Sequence, residues 1–313
     1  MPARYLRISI TSRCNLHCFY CRDAEECAGA EKEPEVAHLA LLARCAAAEG
    51  VQKVRITGGE PLVRGDLTEI VQAVSSVPGI AETTLTTNGI GLAQRAEELR
   101  RAGLDRVNIS LDTLVAERFR AITGEAGHGR VLAAIETCLR TFDQVKLNTV
   151  LLPGVNDDEV ESLVEFAAER GLWVRFIERY TCGRHCPDGN ERVSMQTVKA
   201  RLEQVWGELE PVASSHLSVE ESYRTPGASG ARVGLIASVS NPPCETCTRL
   251  RFTAASELLP CLFAESGIDV SGALGDEDAG AVRHAIRRAY KLKRGRSPSL
   301  APSLSIPVSR IGG

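Results

Sequence analysis

Three cysteines with close spacing stand near the start of the chain. Cys14, Cys18 and Cys21 follow the β-rich run "YLRISI" with the spacing C-x3-C-x2-C. A tetrahedral structural zinc site has four protein ligands, whereas three thiolates on a four-iron cluster leave one iron without a protein ligand. That open iron can bind a small molecule with an amine and a carboxylate. The spacing therefore favours an open iron–sulfur cluster over a zinc knuckle with a distant fourth ligand or plain loop cysteines.

A second triplet lies in the stretch "PPCETCTRLRFTAASELLPCLF". Cys244 and Cys247 form a C-x2-C pair, and Cys261 follows after two short predicted strands. Zinc is a stronger competitor here, because C-x2-C pairs are common in zinc sites. Two separate triplets, each without a fourth cysteine nearby, favour two open four-iron clusters.

Five of the eleven cysteines lie outside the two triplets. Cys45 and Cys138 stand on helical patterns, where a free cysteine behaves as a small buried hydrophobic residue. Cys182 and Cys186, together with His185, form either a metal or redox site or two incidental loop thiols.

The first triplet, with "FY" between its last two cysteines, resembles the radical S-adenosylmethionine (SAM) superfamily, in which Tyr20 lies beside the adenine. The stretch "TGGEP" follows the second predicted strand, and its Gly58 and Gly59 let the backbone approach a ligand closely. Glu60 and the neighbouring backbone groups are expected to hold the amino group of SAM, and Ser110 is expected to touch the ribose. Taken alone, the same glycines would fit an ordinary strand-to-helix turn.

Basic side chains recur on the predicted strands of a chain whose net charge is -3. Arg249 and Arg251 are two residues apart on one strand, so both side chains lie on the same face. Four more cations stand on other predicted strands: Arg7, Arg55, Lys146 and Arg175. Charges that point into a barrel are costly unless paired, so converging cations favour a highly anionic substrate such as a triphosphate. Each cation taken singly also fits a solvated or salt-bridged side chain.

The positions of these residues depend on a repeated strand–helix pattern. Up to about residue 180, six short β-rich runs alternate with longer amphipathic segments, which indicates a parallel sheet of βα units. We expect an α/β fold, with an open, partial (β/α)6 TIM-like barrel at 1–180 and chemistry at the carboxyl ends of its strands. Short strands recur at 231–263, so residues 181–313 are expected to form a small β-rich C-terminal region that binds the second cluster.

The composition predicts a cytoplasmic protein. The chain has 313 residues, 43% of them hydrophobic, which is enough for a sizeable core. Its start lacks the pattern of a signal peptide, and no stretch reaches the ~20 apolar residues of a membrane span. Thiols stay reduced in the cytoplasm, so metal or redox roles are favoured over disulfides. The near-neutral charge gives no reason to expect a nucleic-acid partner, and no membrane partner is expected.

From about Tyr5 to Gly313, the sequence resembles the GTP 3′,8-cyclases of molybdenum-cofactor biosynthesis. The shared stretches include "YLRISIT", "VRITGGEPLVR", "LDRVNISLDTL", "VKLNTVLLPGVNDDE", "CETCTRLR", "PCLF" and the terminal "IGG". The resemblance implies SAM and two [4Fe-4S] clusters as cofactors, with the six triplet cysteines as ligands. It implies contacts with GTP at Arg7, Arg55, Thr86, Lys146, Arg175, Arg249 and Arg251. It implies contacts with SAM at Tyr20, Gly59 and Ser110.

The reaction implied by this resemblance converts GTP to 3′,8-cyclo-7,8-dihydro-GTP. One electron from the first cluster cleaves SAM, the deoxyadenosyl radical removes a hydrogen atom from C3′ of the ribose, and the carbon radical attacks C8 of guanine. In the family the second cluster binds guanine, Arg249 and Arg251 help to quench the nucleobase radical, and the terminal Gly312 and Gly313 enter the active site. The expected partners are GTP, an electron donor, a downstream pyranopterin-forming enzyme and a second copy in a homodimer.

Three departures from the family pattern leave other enzymes open. Tyr180, counted among the SAM-binding residues, stands where a methionine is usual, Ser12 stands where an acidic residue is common, and "TCGRHC" is unusual. The main alternative is a radical SAM enzyme that modifies peptides, which would not need Arg249, Arg251 and Lys146. The other alternative is a non-enzymatic iron–sulfur or zinc protein, in which "TGGEP" would have no purpose.

Overall fold

A computed structural model describes most of the chain. The described residues are 4–21, 32–182, 192–213, 220–227, 230–237, 239–242, 244, 247–294 and 303–304. Gly312, Gly313, His185 and Cys186 lie outside these ranges, as does the side chain of Cys182. The roles predicted for these five residues stay predictions.

The first part of the chain forms the six predicted strands with helices between them. The strands are β1 (Tyr5–Ser9), β2 (Lys53–Thr57), β3 (Glu82–Thr87), β4 (Arg106–Ser110), β5 (Val145–Leu151) and β6 (Trp173–Glu178). The helices are α1 (Val36–Ala48), α2 (Leu67–Ser75), α3 (Leu92–Arg101), α4 (Ala116–Thr123), α5 (His128–Thr141) and α6 (Val160–Glu169). Short 3-10 helices at Pro61–Val63 and Asp157–Glu159 precede α2 and α6.

The second part of the chain contributes short strands and further helices. The strands are β7 (Thr181–Cys182), β8 (Glu210–Pro211), β9 (Glu221–Arg224), β10 (Arg232–Ile236), β11 (Arg249–Phe252), β12 (Glu257–Leu259), β13 (Ile268–Asp269) and β14 (Ser303–Leu304). The helices are α7 (Met195–Trp206), α8 (Ser271–Gly275) and α9 (Ala279–Arg294). Within the described ranges, no helix combines the length and apolar character that crossing a membrane requires.

Twelve of these strands form one sheet, in the order β13-β12-β11-β1-β2-β3-β4-β5-β6-β10-β9-β8. Strands β1 to β6 are parallel neighbours, and β11 and β10 join them in parallel at opposite ends of the run. The short strands expected in a separate β-rich region therefore extend the barrel sheet at both edges. The boundary between two parts at residue 180 stays a prediction.

Alternation along the strands gives the sheet two different faces. On β1, Leu6 and Ile8 belong to the hydrophobic core that also contains the buried faces of the helices. Arg7 between them points to the opposite face, because side chains alternate along a strand. Strand pairing places Arg7 level with Arg55 on β2 and with Arg251 on β11. The fold therefore brings three guanidinium groups from three strands onto the face away from the helices.

Helix α2 shows how the helices fix the sheet. Leu67, Ile70, Val71 and Val74 are its buried residues, and this spacing marks one face of an amphipathic helix. Burying a side chain of this size stabilises the fold by about 1.5–3 kcal/mol relative to leaving it exposed. Packing of this kind holds the carboxyl ends of the strands, and the loops that follow them, in place.

Candidate functional site

Two adjoining cavities lie on the polar face of the sheet. The first is lined by the cysteine loop 14–21 and by residues at the carboxyl ends of β2 to β6. The second is lined by arginines of β1, β2, β6 and β11 and by the second cysteine triplet. With the open solvent at their mouths included, they enclose about 1060 and 1020 Å³. Asn148 and Ile177 line both, so ligands in the two cavities would be neighbours.

The three cysteines of the first triplet converge on the first cavity. Cys14, Cys18 and Cys21 all line it, and backbone hydrogen bonds of 2.8 and 3.1 Å tie their loop to the end of α4. Burial, followed by the negative charges of Asp112, Cys21 and Cys14, raises the pKa of the Cys18 thiol. The thiols are therefore close enough to interact, as ligands of one iron–sulfur cluster must be.

The "TGGEP" glycines hold the cysteine loop against the sheet. The N–H of Gly59 donates to the Thr11 carbonyl at 2.7 Å, and the N–H of Glu60 donates to the Arg13 carbonyl at 2.8 Å. A Cβ on Gly59 would lie 2.3 Å from the carbonyl oxygen of Arg13 and 2.6 Å from that of Ser12. Only glycine fits this close approach of two backbone segments. Gly58 lines the first cavity as well.

The carboxylate of Glu60 already has three partners within the protein. It accepts hydrogen bonds from the Leu62 N–H at 2.9 Å, the Thr87 hydroxyl at 2.7 Å and the Asn88 N–H at 2.6 Å. Burial raises its pKa to about 7, against the lowering effect of these hydrogen bonds. The side chain therefore fixes two loops at the wall of the first cavity. Its contact with the amino group of SAM stays a prediction.

Tyr20 and Ser110 both line the first cavity, and their contacts with SAM stay predictions. The Tyr20 hydroxyl donates to the Asp112 carboxylate at 2.5 Å, and the Val150 N–H donates to the other carboxylate oxygen at 2.9 Å. Burial raises the pKa of Asp112 to about 6, although both hydrogen bonds lower it. Asp112 was not predicted, and the available signal was its place two residues after Ser110 in "NISLD".

The second triplet converges on the second cavity. Cys244, Cys247 and Cys261 all line it. Burial, followed by the charges of Cys261 and Cys247, raises the pKa of Cys244, so these thiols are also close neighbours. Yet among the described residues no three cysteine, histidine or acidic side chains are grouped closely enough to hold a single metal ion.

Lys293, near the end of α9, joins the two segments that carry the second triplet. Its ammonium group donates to the carbonyl of Arg249 at 2.9 Å and to that of Pro260 at 3.1 Å. Burial raises the pKa of the nearby Cys247 thiol, but Lys293 and the hydrogen bond and charge of Arg249 outweigh burial and lower it. No motif in the sequence pointed to Lys293, because its partners come together only in the fold.

Arginines from four strands line the second cavity. They are Arg7, Arg55, Arg175, Arg249 and Arg251. Burial and the neighbouring charge of Arg251 lower the pKa of Arg7. Cations held so close together are stabilised by a bound anion, so the geometry agrees with a phosphate site.

Tyr5 lies among these cations and was not predicted as a site residue. The centre of its ring is 5.0 Å from the Arg249 guanidinium, 5.4 Å from the Lys53 ammonium and 5.6 Å from the Arg55 guanidinium. Its buried hydroxyl has no hydrogen-bond partner in the described part of the chain. Burial raises the pKa of this phenol, but the charges of Arg55, Arg7, Arg249 and Lys53 outweigh burial and lower it to about 7.

Three residues do not line the cavity that is assigned to their predicted ligand. Thr86, expected to contact GTP, lines the first cavity. Tyr180, expected beside SAM, lines the second cavity, where its ring packs 6.2 Å from that of Phe263. Lys146 lines neither of these cavities, and its ammonium forms an ion pair with Glu220 at 2.7 Å. The ligand contacts of these residues stay predictions.

Two family models match the chain. The Radical SAM superfamily model matches residues 8–167. The Molybdenum Cofactor Synthesis C model matches residues 172–298. The first model spans the cysteine loop and strands β2 to β5, and the second spans β6 and the second triplet.

The chain is also similar to named enzymes and to a solved structure. It is 41% identical over 274 residues to the GTP 3′,8-cyclase of Moorella thermoacetica, covering 86% of this chain and 84% of that enzyme. It is 40% identical over 305 residues to the GTP 3′,8-cyclase of Peptoclostridium acidaminophilum, covering 93% and 91%. SuiB of Streptococcus suis, solved with bound S-adenosylmethionine, has a TM-score of 0.63 at 15% identity, covering 99% of this chain and 78% of SuiB. That last likeness concerns the fold alone.

Proposed function

Because the chain belongs to the radical SAM superfamily and to its GTP 3′,8-cyclase family, we propose that it converts GTP to 3′,8-cyclo-7,8-dihydro-GTP, the first step of molybdenum-cofactor biosynthesis. The observation that carries this proposal is the pair of adjoining cavities. A cysteine loop lines one, and arginines with a second cysteine triplet line the other. Radical chemistry needs the SAM and substrate sites side by side.

A radical SAM protein binds a [4Fe-4S] cluster and SAM, and the first cavity fits both. Cys14, Cys18 and Cys21 would hold the cluster. The residues that would hold SAM share the wall of the same cavity: Tyr20, Gly58, Gly59, Glu60 and Ser110. When bound, the two groups supply the one-electron chemistry that removes a hydrogen atom from the substrate. The Tyr20–Asp112 hydrogen bond would keep the aromatic ring in place beside them.

The second [4Fe-4S] cluster is assigned to Cys244, Cys247 and Cys261. Support comes from their convergence on the second cavity and from Lys293, which helps to lower the pKa of Cys247. A lowered pKa favours the thiolate, which is the form that binds metal. A zinc ion on the same cysteines is the alternative, and iron counting distinguishes the two.

The triphosphate of GTP would lie against the cations of the second cavity. Arg7, Arg55, Arg249 and Arg251 would donate paired hydrogen bonds to phosphate oxygens, for which the planar guanidinium group is well suited. Lys146 and Arg175 are proposed to contact the phosphates as well. Thr86, on the side of the first cavity, would contact the part of GTP that faces SAM. The work of the protein is then to hold the ribose beside SAM and to exclude water.

The proposed pathway needs further components. An electron donor must reduce the first cluster, and a downstream enzyme must form the pyranopterin from the cyclised product. Gly312 and Gly313 are proposed to enter the active site, and Arg249 and Arg251 to help quench the nucleobase radical. We expect a cytoplasmic homodimer without nucleic-acid or membrane partners.

Product analysis tests the proposed function. Anaerobically reconstituted protein is incubated with SAM, a strong one-electron reductant and GTP, and we expect 5′-deoxyadenosine together with cyclised GTP. A variant with Cys14→Ala, Cys18→Ala and Cys21→Ala should form neither product and should keep about half of its iron, held by the second triplet. SAM cleavage by the unaltered protein with no GTP product would contradict the proposal and favour a peptide substrate.

A further inference from the structure

Glu220 bridges two of the cations that are proposed to bind GTP. Its Oε1 accepts a hydrogen bond from Lys146 Nζ at 2.7 Å, and its Oε2 accepts one from Arg175 Nη1 at 3.1 Å. Arg175 also donates to Asn108 Oδ1 at 2.7 Å, and the Lys146 ammonium lies 4.0 Å from the centre of the Trp173 ring. The carboxylate therefore occupies the place that an anionic ligand of these two cations would take.

This group of three charges is buried. The exposed fractions of the side chains are 4% for Glu220, 10% for Lys146 and 6% for Arg175. Burial raises the pKa of Glu220, but the charges of Arg175 and Lys146 outweigh burial and lower it to about 2. The carboxylate is thus ionised at neutral pH, and it compensates one of the two positive charges.

Glu220 also stands between Lys146 and the second cavity. Glu220 and Arg175 line that cavity, whereas Lys146 does not. Strand β10 places Gly234 opposite Arg175, and a Cβ on Gly234 would lie 2.9 Å from the Arg175 side chain and 3.5 Å from the Glu220 carboxyl carbon. The missing side chain makes room for the ion pair. A phosphate that enters from the cavity would therefore meet Glu220 before it reaches Lys146.

We propose that Glu220 is a specificity-determining residue that competes with the terminal phosphates of the substrate for Lys146 and Arg175. This inference rests on the proposed function, which assigns both cations to GTP. A phosphate binds there only by displacing the carboxylate or by sharing the cations with it, so each added phosphate gains less affinity than two uncompensated cations would give. If the ion pair served the fold alone, loss of the carboxylate would leave two buried cations unpaired and would destabilise the protein, without a gain in affinity that grows with the number of phosphates.

Affinities across a phosphate series distinguish these two roles. Dissociation constants for guanosine, GMP, GDP, GTP and inorganic triphosphate are measured with the anaerobically reconstituted full-length protein and its Glu220→Gln variant. Glutamine keeps the size and an acceptor oxygen but removes the negative charge. We expect the variant to bind GTP and inorganic triphosphate about tenfold more tightly, to bind GMP only slightly more tightly, and to bind guanosine unchanged.

Glu221→Gln is the matched control. Glu221 is the exposed neighbour of Glu220 and accepts a hydrogen bond from Tyr223 at 2.9 Å, so its change should leave all five constants unaltered. If Glu220→Gln does not fold, the double variant Lys146→Met, Glu220→Gln removes one cation with the anion, and competition predicts triphosphate affinity at least equal to that of the unaltered protein. Unchanged or weaker triphosphate binding by folded Glu220→Gln, or weaker binding by the double variant, overturns the proposal.

The outcomes also separate this inference from the proposed function. Tighter triphosphate binding by Glu220→Gln, with no cyclised GTP from either protein, would support the competition and contradict the cyclase activity. If both proteins form cyclised GTP and their ligand affinities depend on the number of phosphates in the same way, the result would support the cyclase activity and overturn the role of Glu220.

Discussion

Gly59 has neighbours that leave no room for a side chain. A Cβ there would lie 2.3 Å from the Arg13 carbonyl oxygen and 2.6 Å from that of Ser12, and backbone atoms can make room only if the cysteine loop moves. We expect Gly59→Ala to lose most of the iron held by the first triplet and to unfold at a lower temperature. Iron analysis and thermal unfolding measure these effects.

Gly65 provides the control for this substitution. A Cβ on Gly65 would meet no atom within 4 Å, so Gly65→Ala should keep its full iron content and its unfolding temperature. Normal iron content in Gly59→Ala would show that the first cluster does not depend on this close contact.

Tyr5 should make stability depend on pH. Its pKa of about 7 in the folded protein lies below the ordinary value of 10.0, so between these pH values the folded state binds fewer protons than the unfolded state. Its contribution to stability is therefore complete above about pH 10 and is lost as the pH falls through about 7. We expect Tyr5→Phe to reduce the rise in unfolding free energy above pH 7 and to remove a tyrosinate absorption band.

Subtracting the spectrum of Tyr5→Phe from that of the unaltered protein cancels the absorption of the clusters. Tyr223→Phe is the control, because burial and Glu221 raise the pKa of Tyr223 to about 12. This variant should keep the titration of the Tyr5 phenol near neutral pH. A difference spectrum with no tyrosinate near neutral pH would contradict the effect of the surrounding cations on Tyr5.

The site residues that could be predicted from the sequence are those that form a motif within one short segment. Cys14, Cys18 and Cys21 form a recognisable pattern within one loop. Glu220 gave no such signal, because it follows a polar stretch without a motif, and Lys146 and Arg175 reach it only after six strands have assembled. The site residues that could not be predicted are therefore those whose contacts join segments distant in the sequence.

Among the helices and strands, α9 has a direct effect on the second site through Lys293. Lys293→Met removes the ammonium that joins the Arg249 and Pro260 carbonyls but keeps most of the side chain. Because a nearby positive charge favours the reduced form of a cluster, we expect a lower midpoint potential for the second cluster, with partial loss of its iron. An EPR redox titration and iron counting measure these changes.

Lys291→Met is the matched control, since Lys291 is exposed on the same helix. It should leave both the midpoint potential and the iron content unaltered. A Lys293→Met variant with the potential and iron content of the unaltered protein would remove Lys293 from the account of the second site.

The strands β1 to β6 could be predicted because each follows a local pattern, but the edges of the sheet could not. Val233 and Leu235 on β10, and Leu250 and Phe252 on β11, are buried and alternate with residues on the other face. Such alternation predicts a strand but does not predict which strand it pairs with in the sheet. Only the fold shows that β10 pairs with β6 while β11 pairs with β1.

For the molecule as a whole, the carboxyl terminus is proposed to enter the active site. Deletion of Gly312 and Gly313 should leave the fold, the iron content and SAM cleavage intact while GTP cyclisation collapses, because residues without a Cβ can enter a narrow channel. A short peptide ending in Gly-Gly should restore part of the activity. Ser309→Ala in the same tail should keep full activity, and full cyclisation by the truncated protein would show that the two glycines are dispensable.

The central claim is that the two cavities bring SAM and the ribose of GTP together, and the fate of one hydrogen atom tests it most directly. GTP with deuterium at C3′ is incubated with the anaerobically reconstituted protein, SAM and reductant, and the products are analysed by mass spectrometry. We predict one deuterium atom in 5′-deoxyadenosine and a cyclised product that has lost it. Formation of 5′-deoxyadenosine without deuterium, at the same rate with and without GTP, would contradict the claim.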